Sequence, residues 1–519
     1  MSTTSEPARP AASVLARGHL HPAILLLRLL DAMRQAVVPI VFGILLERWF
    51  LVLGIGLFVV HLGYAVARYL TLEYTLTDEE LRIREGLLQR QERRIPLDRI
   101  QDLGCESTLL RRALGLTVVL VETASGRGVE ARLDALGRAD ADHLREVLLA
   151  ARRAAVRPAV AATPGEPAAS GPPGAPGAAP PPPAVAEVEW LVHRSTPGEL
   201  LLRGLTDLRL SAFVVTGFAL LQFADQFGVA VQLRGVAGNF REWLVGFPPL
   251  LLATALLAML AAVLAFGVAT ATIGNLIHFH GFELRLRGDV LQRRFGLLTT
   301  RAKTLPRARV QRVTVEQPWL RRLLGLAVVK ADSAGGSRSE GEDTAGGWDV
   351  VVPIARLHAA EALLPALLPG IERETFGWQR GAARLVVRTA LQGAILAAIV
   401  VPALWRAVGA WALLGLGIVP FFALLGMLIW RSLGWSLGDG FLALRHGVVG
   451  RYGAYVPTAK VQAVVVRRGP LALLLGLADL TVYVAGGSPT RLPDLLYADA
   501  RALQAAIAAR AAVAAARDW

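Results

Sequence analysis

The chain has 519 residues, 54% of them hydrophobic and only 18% charged, with a mean hydropathy of +0.47 and a formal net charge of +14. An average soluble protein is roughly 25% charged, so the composition excludes a purely soluble enzyme and a wholly disordered chain. A single cysteine, Cys105, excludes an internal disulfide and a thiolate metal cluster. In a basic, apolar chain the arginines point first to cytoplasmic loops and anionic lipid, and not to nucleic acid.

In chain order, the polar, Ala/Pro-rich start lacks the tripartite pattern of a cleavable signal peptide. Residues 21–46 carry Arg28, Asp31 and Arg34, and only 35–46 are free of charge. The first half therefore reads as an amphipathic helix at the interface, the rest as a span. The i, i+3, i+6 spacing of the three charged residues predicts local pairing on one helix face. Residues 49–67 hold no Asp, Glu, Lys or Arg and form a second span, in which Gly54 and Gly56 suit close helix packing. Residues 210–233, interrupted only by Asp225, pair with 243–273, and 389–405 pair with 407–430. That makes six spans in three pairs. The turns within pairs are short and nearly neutral, whereas the segments between pairs are long and arginine-rich. The positive-inside rule then places those segments and both termini in the cytoplasm.

The long segments are copies of one another. Gly86, Gly296 and Gly447 each precede a proline by ten residues (Pro96, Pro306, Pro457). Gln101, Gln311 and Gln462 each precede a glycine by fourteen (Gly115, Gly325, Gly476). Arg111-Arg112 and Arg321-Arg322 stand ahead of the first two of these glycines, and residues 471–475 replace the pair in the third copy. The segments before the spans repeat too, with His21-Pro22 to Arg28 matching Thr196-Pro197 to Arg203. Within each copy short alternating runs read as strands, such as Tyr74, Leu76, Leu81 and Ile83 around the turn 77–80, and 117–122 with 129–133 around 125–128. Each copy ends in a helical stretch, at 139–153, 357–368 and 499–517. The Ala/Pro/Gly run 158–183 reads as an extended linker and 335–347 as a loop insertion.

These repeated motifs resemble the bacterial pleckstrin-homology-like family in its multi-copy membrane form, over nearly the whole chain outside the two low-complexity stretches. The resemblance implies that each copy is a seven-stranded barrel of two near-orthogonal sheets closed by a C-terminal helix, and that the protein is not an enzyme. The expected layout is a leading helix and span pair at 1–70, a PH-like domain at 71–153 and a linker at 154–187. A second pair at 188–273 and domain at 274–373 follow, then a third pair at 374–432 and domain at 433–519.

Candidate functional residues are mostly arginines. Residues 279–330 hold twelve basic side chains against three acidic ones. Guanidinium groups suit bidentate phosphate contacts, which makes Arg93, Arg94, Arg111, Arg112, Arg307, Arg309, Arg321 and Arg322 candidate lipid-phosphate ligands. Phosphoinositide-binding PH domains carry basic residues in their first hairpin, but here that turn is Thr77-Asp78-Glu79-Glu80 in copy one and Gly438-Asp439-Gly440 in copy three. Pro96, Pro306 and Pro457 fit a strand start or sheet edge. Gln101, Gln311 and Gln462 fit amides that satisfy neighbouring backbone, and the glycines at 115, 325 and 476 fit a turn entering a strand. His278 and His280 lack a nearby third ligand for a metal. No nucleotide, hydrolase or redox motif is present, and no cofactor is expected. The expected function is display of three binding domains at the membrane face, for anionic lipid, membrane-protein partners or a second copy of the chain. The alternative is a transporter or lipid-handling protein built around Asp225, an intramembrane carboxylate.

Overall fold

The computed structural model describes residues 14–19, 21–45, 48–77, 79–85, 91–123, 129–144, 146–147, 189–207, 248–333, 350–438 and 440–517. The linker 158–183, the insertion 335–347, the turn 125–128, the Gly86 loop and the span 210–233 with Asp225 lie outside the described residues.

Strand β1 (Val14–His19) precedes two packed helices, α1 (Ile24–Leu45) and α2 (Arg48–Thr71). Then follow β2 (Glu73–Thr77), β3 (Glu80–Glu85), β4 (Gln91–Pro96), β5 (Ile100–Thr108), a five-residue helix α3 (Leu109–Ala113), β6 (Leu116–Thr123), β7 (Val129–Gly137) and helix α4 (138–147). β1 pairs antiparallel with β2, joining His19 to Glu73 and Gly18 to Tyr74. The first domain is thus discontinuous: its first strand lies ahead of the membrane helices, outside the 71–153 expected from sequence. Its core holds Leu76, Leu81, Ile95, Val121 and Leu133, with Ile24 and Leu27 of α1 packed in.

The second unit repeats the plan. β8 (Glu189–Arg194) leads into α5 (Pro197–Leu205), which starts at a capping box between Thr196 and Glu199 with Pro197 in the first turn. The long apolar α6 (Pro249–His278) delivers the chain to β9 (Glu283–Arg287), β10 (Val290–Phe295), β11 (Thr299–Pro306), β12 (Val310–Gln317), α7 (Trp319–Leu323), β13 (Leu326–Ser333) and β14 (Val352–Arg356), then the short α8 (Leu357–Ala362) and α9 (Leu364–Leu367). β8 pairs with β9, again across the membrane segment.

In the third unit a single bridge, Gln379 to Trp435, stands where the first strand was in the others. α10 (Arg384–Val408), a 3-10 stretch (Gly409–Gly417) and α11 (Ile418–Ser432) precede β15 (Gly434–Leu437), β16 (Phe441–His446), β17 (Arg451–Pro457), β18 (Val461–Arg467), α12 (Pro470–Leu474), β19 (Leu477–Val484), β20 (Thr490–Leu496) and the 21-residue α13 (Tyr497–Arg517). α10 runs through the expected turn at Trp405–Arg406 and ends at Gly409, whose φ of 56° is readily reached by glycine.

Among the described residues, three stretches are long and apolar enough to cross a membrane: Trp49–Thr71, Leu260–His278 and Arg384–Ser432. The last folds back on itself. A Cβ on Gly426 would collide with Thr389 Oγ1, and one on Gly393 would lie 2.7 Å from Phe422 Cβ, so the two arms run antiparallel in close contact. α1, with its three charged residues, does not meet the same standard of apolarity. Six spans are therefore not established by the helices described. Gly54 packs against Ile40 as its sequence suggests, while Gly56 faces open space.

The sheets do not stop at domain boundaries. β1-β2-β3-β4 form one sheet. β7-β6-β5 of the first domain continue into β11-β10-β9-β8 of the second, and β14-β13-β12 continue into β17-β16-β15 of the third. β18-β19-β20 complete the third domain. The core of the second domain accordingly includes Phe441, Ala443 and Tyr455 from the third.

Candidate functional site

The two seams between domains are built alike. In the first, β5 meets β11 with Ser107 opposite Thr300, Glu106 opposite Arg301 and Cys105 opposite Ala302. In the second, β12 meets β17 with Gln317 opposite Arg451, Glu316 opposite Tyr452 and Val315 opposite Gly453. Aligned on the repeated proline and glutamine, these are the same positions, so both seams share one register. The pairing satisfies edge N–H and C=O groups that would otherwise be open to aggregation. Arg301 Nε also lies 3.0 Å from Glu106 Oε1 across the first seam.

The arginine pairs on the short helices divide their work. Arg112 donates forward to the Leu297 carbonyl of the next domain, and Arg322 to the Val448 carbonyl. The other member turns back. Arg321, buried, donates from Nε to Thr206 Oγ1 at 3.0 Å and from Nη2 to the Arg203 carbonyl at 3.3 Å, at the end of α5. Arg111 is half-buried, and burial draws its pKa down against the opposing pull of Asp134. In the third unit Ala472 and Leu473 occupy these places.

A second recurrent feature clamps membrane helices to strands. Arg28 of α1 and Arg68 of α2 lie 3.1 and 3.7 Å from Asp134 of β7, which also receives Arg132 Nε at 2.8 Å. The expected local pairing of Arg28, Asp31 and Arg34 is thus overturned for Arg28, whose partner is a buried carboxylate on another element. In the second unit Arg203 of α5 donates to the Pro353 carbonyl of β14 and to Asn275 Oδ1 of α6 at 2.9 Å, and its guanidinium lies 4.3 Å from the centre of the Phe279 ring. In the third, Arg388 of α10 lies 2.8 Å from Asp494 of β20. Asp494 is buried and has a φ of 58°; burial pushes its pKa up to about 6, Arg388 opposing the rise. Sequence reading missed Asp134, Arg388 and Asp494. A lone aspartate in an apolar strand was the available signal.

The other expected residues occupy separate places. Arg93 and Arg94 are exposed on β4, which ends its sheet, and Arg94 Nε donates to Glu92 at 2.8 Å. Arg307 donates to the Pro365 carbonyl at 2.9 Å, and Arg309 is half-buried in the same 3-10 turn. Pro96, Pro306 and Pro457 stand at the end of the fourth strand, not at a start, each opening a 3-10 turn. Gln311 Nε2 donates to the Arg309 carbonyl at 3.2 Å, as expected of a backbone-satisfying amide, while Gln462 is exposed. The backbone of Gln101 is in β5, and its side chain lies outside the described residues. Gly115, Gly325 and Gly476 have φ of 69°, 65° and 66°, and their carbonyls accept from the first residue of each C-terminal helix, Arg138, Leu357 and Tyr497. Beside the first seam lies a cavity of about 380 Å³ lined by charges of both signs, Arg112, Arg138, Arg285, Arg293, Arg294 and Lys303 with Glu106, Asp142, Glu189 and Glu283. At the other end of the row, Gln504 of α13 donates to the Val464 carbonyl of β18 at 2.8 Å.

These features define a class: PH-like barrels joined edge to edge and bolted to membrane helices inserted after their first strand. The chain belongs to the bacterial PH domain family, whose pattern matches residues 26–152, 233–370 and 382–511. It is similar to the UPF0699 transmembrane protein YdbT of Bacillus subtilis (strain 168), 22% identical over 458 residues that cover 85% of this chain and 87% of that protein. No solved structure matches the chain.

Proposed function

We propose that this protein is a non-enzymatic, multi-pass scaffold of a bacterial inner membrane, with six spans in three pairs. Its PH-like domains form one row on the cytoplasmic face, where they dock on anionic lipid and on membrane-protein partners. The observation that carries this reading is the shared register of the two seams, which makes three domains one continuous object. The clamps Arg28–Asp134, Arg203–Pro353 and Arg388–Asp494 tie each domain to its own membrane helices. A tethered basic surface gains about 1 kcal/mol per Lys or Arg near an anionic leaflet, and the excess of 55 Lys and Arg over 41 Asp and Glu supplies such groups. The exposed Arg93 and Arg94 and the arginines that line the first-seam cavity are the phosphate-binding groups of this reading.

Hydrogen exchange of the full-length protein in nanodiscs tests it. Discs containing phosphatidylglycerol are expected to protect β4 and the rim of the first-seam cavity more than phosphatidylcholine discs do. Salt well above physiological strength, where the Debye length falls to about 3 Å at 1 M, is expected to remove the difference. Identical exchange in the two lipids would overturn lipid docking.

A further inference from the structure

The short helices and hairpin tips that complete the seams expose a row of large apolar side chains. Leu323 of α7 is 78% exposed, Leu474 of α12 is 81% exposed and Val449 is 68% exposed, and Leu110, Leu298 and Trp319 are exposed with them. These residues belong to three domains, yet hydrogen bonds join their elements into one line. The Leu109 N–H of α3 donates to the Leu298 carbonyl at 2.8 Å, and Arg322 of α7 donates to the Val448 carbonyl beside Val449.

The line lies at the ends of the membrane helices. The Leu297 N–H donates to the carbonyl of Ile277, in the last turn of the apolar α6, at 3.0 Å, and the Gly296 N–H to that of His280 at 2.8 Å. α7 is bonded through Arg321 to the end of α5, and α12 through its Leu475 carbonyl to Arg384, the first residue of α10. The 297–298 tip and α12 are therefore held at the ends of the apolar helices α6 and α10, and α7 reaches the end of α6 through α5, whose Arg203 donates to Asn275. Apolar side chains at that depth meet the boundary between headgroups and acyl chains, where leucine is favoured by burial and tryptophan by its amphipathic ring. The substitution at position 473 fits this surface. Where the first two units have Arg112 and Arg322 to clasp the next domain, the third has Leu473, itself exposed among these leucines.

We propose that α3, α7, α12 and the hairpin tips at 297–298 and 448–449 form an apolar ridge that inserts into the headgroup–acyl boundary of the bilayer. The ridge seats the row of PH-like domains against lipid independently of headgroup charge. The proposal rests on the membrane-scaffold reading and deepens it, replacing a purely electrostatic contact with a wedge.

The test uses the full chain with Cys105→Ser as background and single cysteines at Leu323, Val449 or Leu474, labelled with an environment-sensitive fluorophore in phosphatidylcholine nanodiscs. Ala509, exposed near the far end of α13, is the aqueous control. Labels at 323, 449 and 474 are expected to be blue-shifted and quenched about twofold or more by nitroxides placed high on the acyl chain, with 509 unaffected. Emission at all three positions matching that at 509 would overturn the ridge. All three side chains replaced are exposed, so the variants retain the core. Lipid docking by charge is read from the anionic-lipid and salt dependence of hydrogen exchange, so it can fail while the ridge stands, and the reverse.

Discussion

Arg28 Nη2 donates to Asp134 Oδ2 at 3.1 Å and joins residues 106 positions apart, one on the leading helix α1 and one on the last strand of the first domain. Asp134 is only 4% exposed, and three arginines lie against its carboxylate oxygens. Asp134→Ala is expected to destabilise the first domain by about 1–3 kcal/mol, the usual cost of orphaning charge-assisted hydrogen bonds. A double-mutant cycle with Arg28→Ala isolates the clamp. A coupling near zero in chemical denaturation would show that the two residues are merely adjacent.

The shared register predicts two cross-links. With Cys105 changed to Ser, the pairs Glu106→Cys with Arg301→Cys and Glu316→Cys with Tyr452→Cys place thiols directly opposite each other across the two seams. Facing Cα atoms in antiparallel strands are about 4.5–5.5 Å apart, within the range a disulfide spans. Both variants are expected to form intramolecular disulfides under mild oxidation, seen by peptide mass analysis. Shifting one cysteine of a pair by a single residue turns its side chain to the opposite face and is expected to abolish the bond.

Asp494 predicts a pH dependence with a defined sign. Its folded pKa of about 6 stands above the ordinary aspartate value of 3.8, so between these values the folded state holds a proton that the unfolded state has lost. Stability from this residue is therefore greatest at or below pH 4, falls as pH rises to about 6, and is constant beyond. One pKa unit corresponds to 1.36 kcal/mol, so the fall is at most about 3 kcal/mol. Asp494→Asn is expected to flatten the profile between pH 4 and 6. A wild-type profile that rises with pH there, and that the variant leaves unchanged, would reverse the assignment.

Helix contacts at glycine predict a contrast. A Cβ on Gly204 would collide with the Thr272 backbone, whereas one on Gly56 would meet nothing within 4 Å. Gly204→Ala is expected to push α5 from α6 and cost about 1–3 kcal/mol by overpacking. Gly56→Ala is expected to leave thermal stability within about 0.5 kcal/mol of wild type. Equal effects would mean that the α5–α6 contact is looser than the structure has it.

Some of this architecture was legible in the residues, and the reasons are local. Gly325 announces its turn because a positive φ favours glycine, whereas Pro306, expected at a strand start or sheet edge, ends its strand and opens a 3-10 turn. The arginine pair Arg321-Arg322 was visible as a motif, but its meaning was not. One guanidinium faces the leading helix and the other the next domain, a distinction that depends on which elements meet at α7. The strand β8 was likewise hidden. It is six residues long and stands apart from its partner β9, with α5, α6 and the residues between them intervening, so no alternation in its neighbourhood names the partner.

By itself the sequence determined the membrane character, the threefold repeat and the turns within each copy, because these follow from hydropathy, spacing and the conformational limits of glycine and proline. Only the tertiary structure decided that the spans interrupt each domain after its first strand, that consecutive domains share sheets, and that Arg28 belongs to Asp134. Those choices are pairings between distant backbone edges and buried charges. Every strand has the same N–H and C=O groups to offer, so the partner is selected by what the folded chain brings within reach.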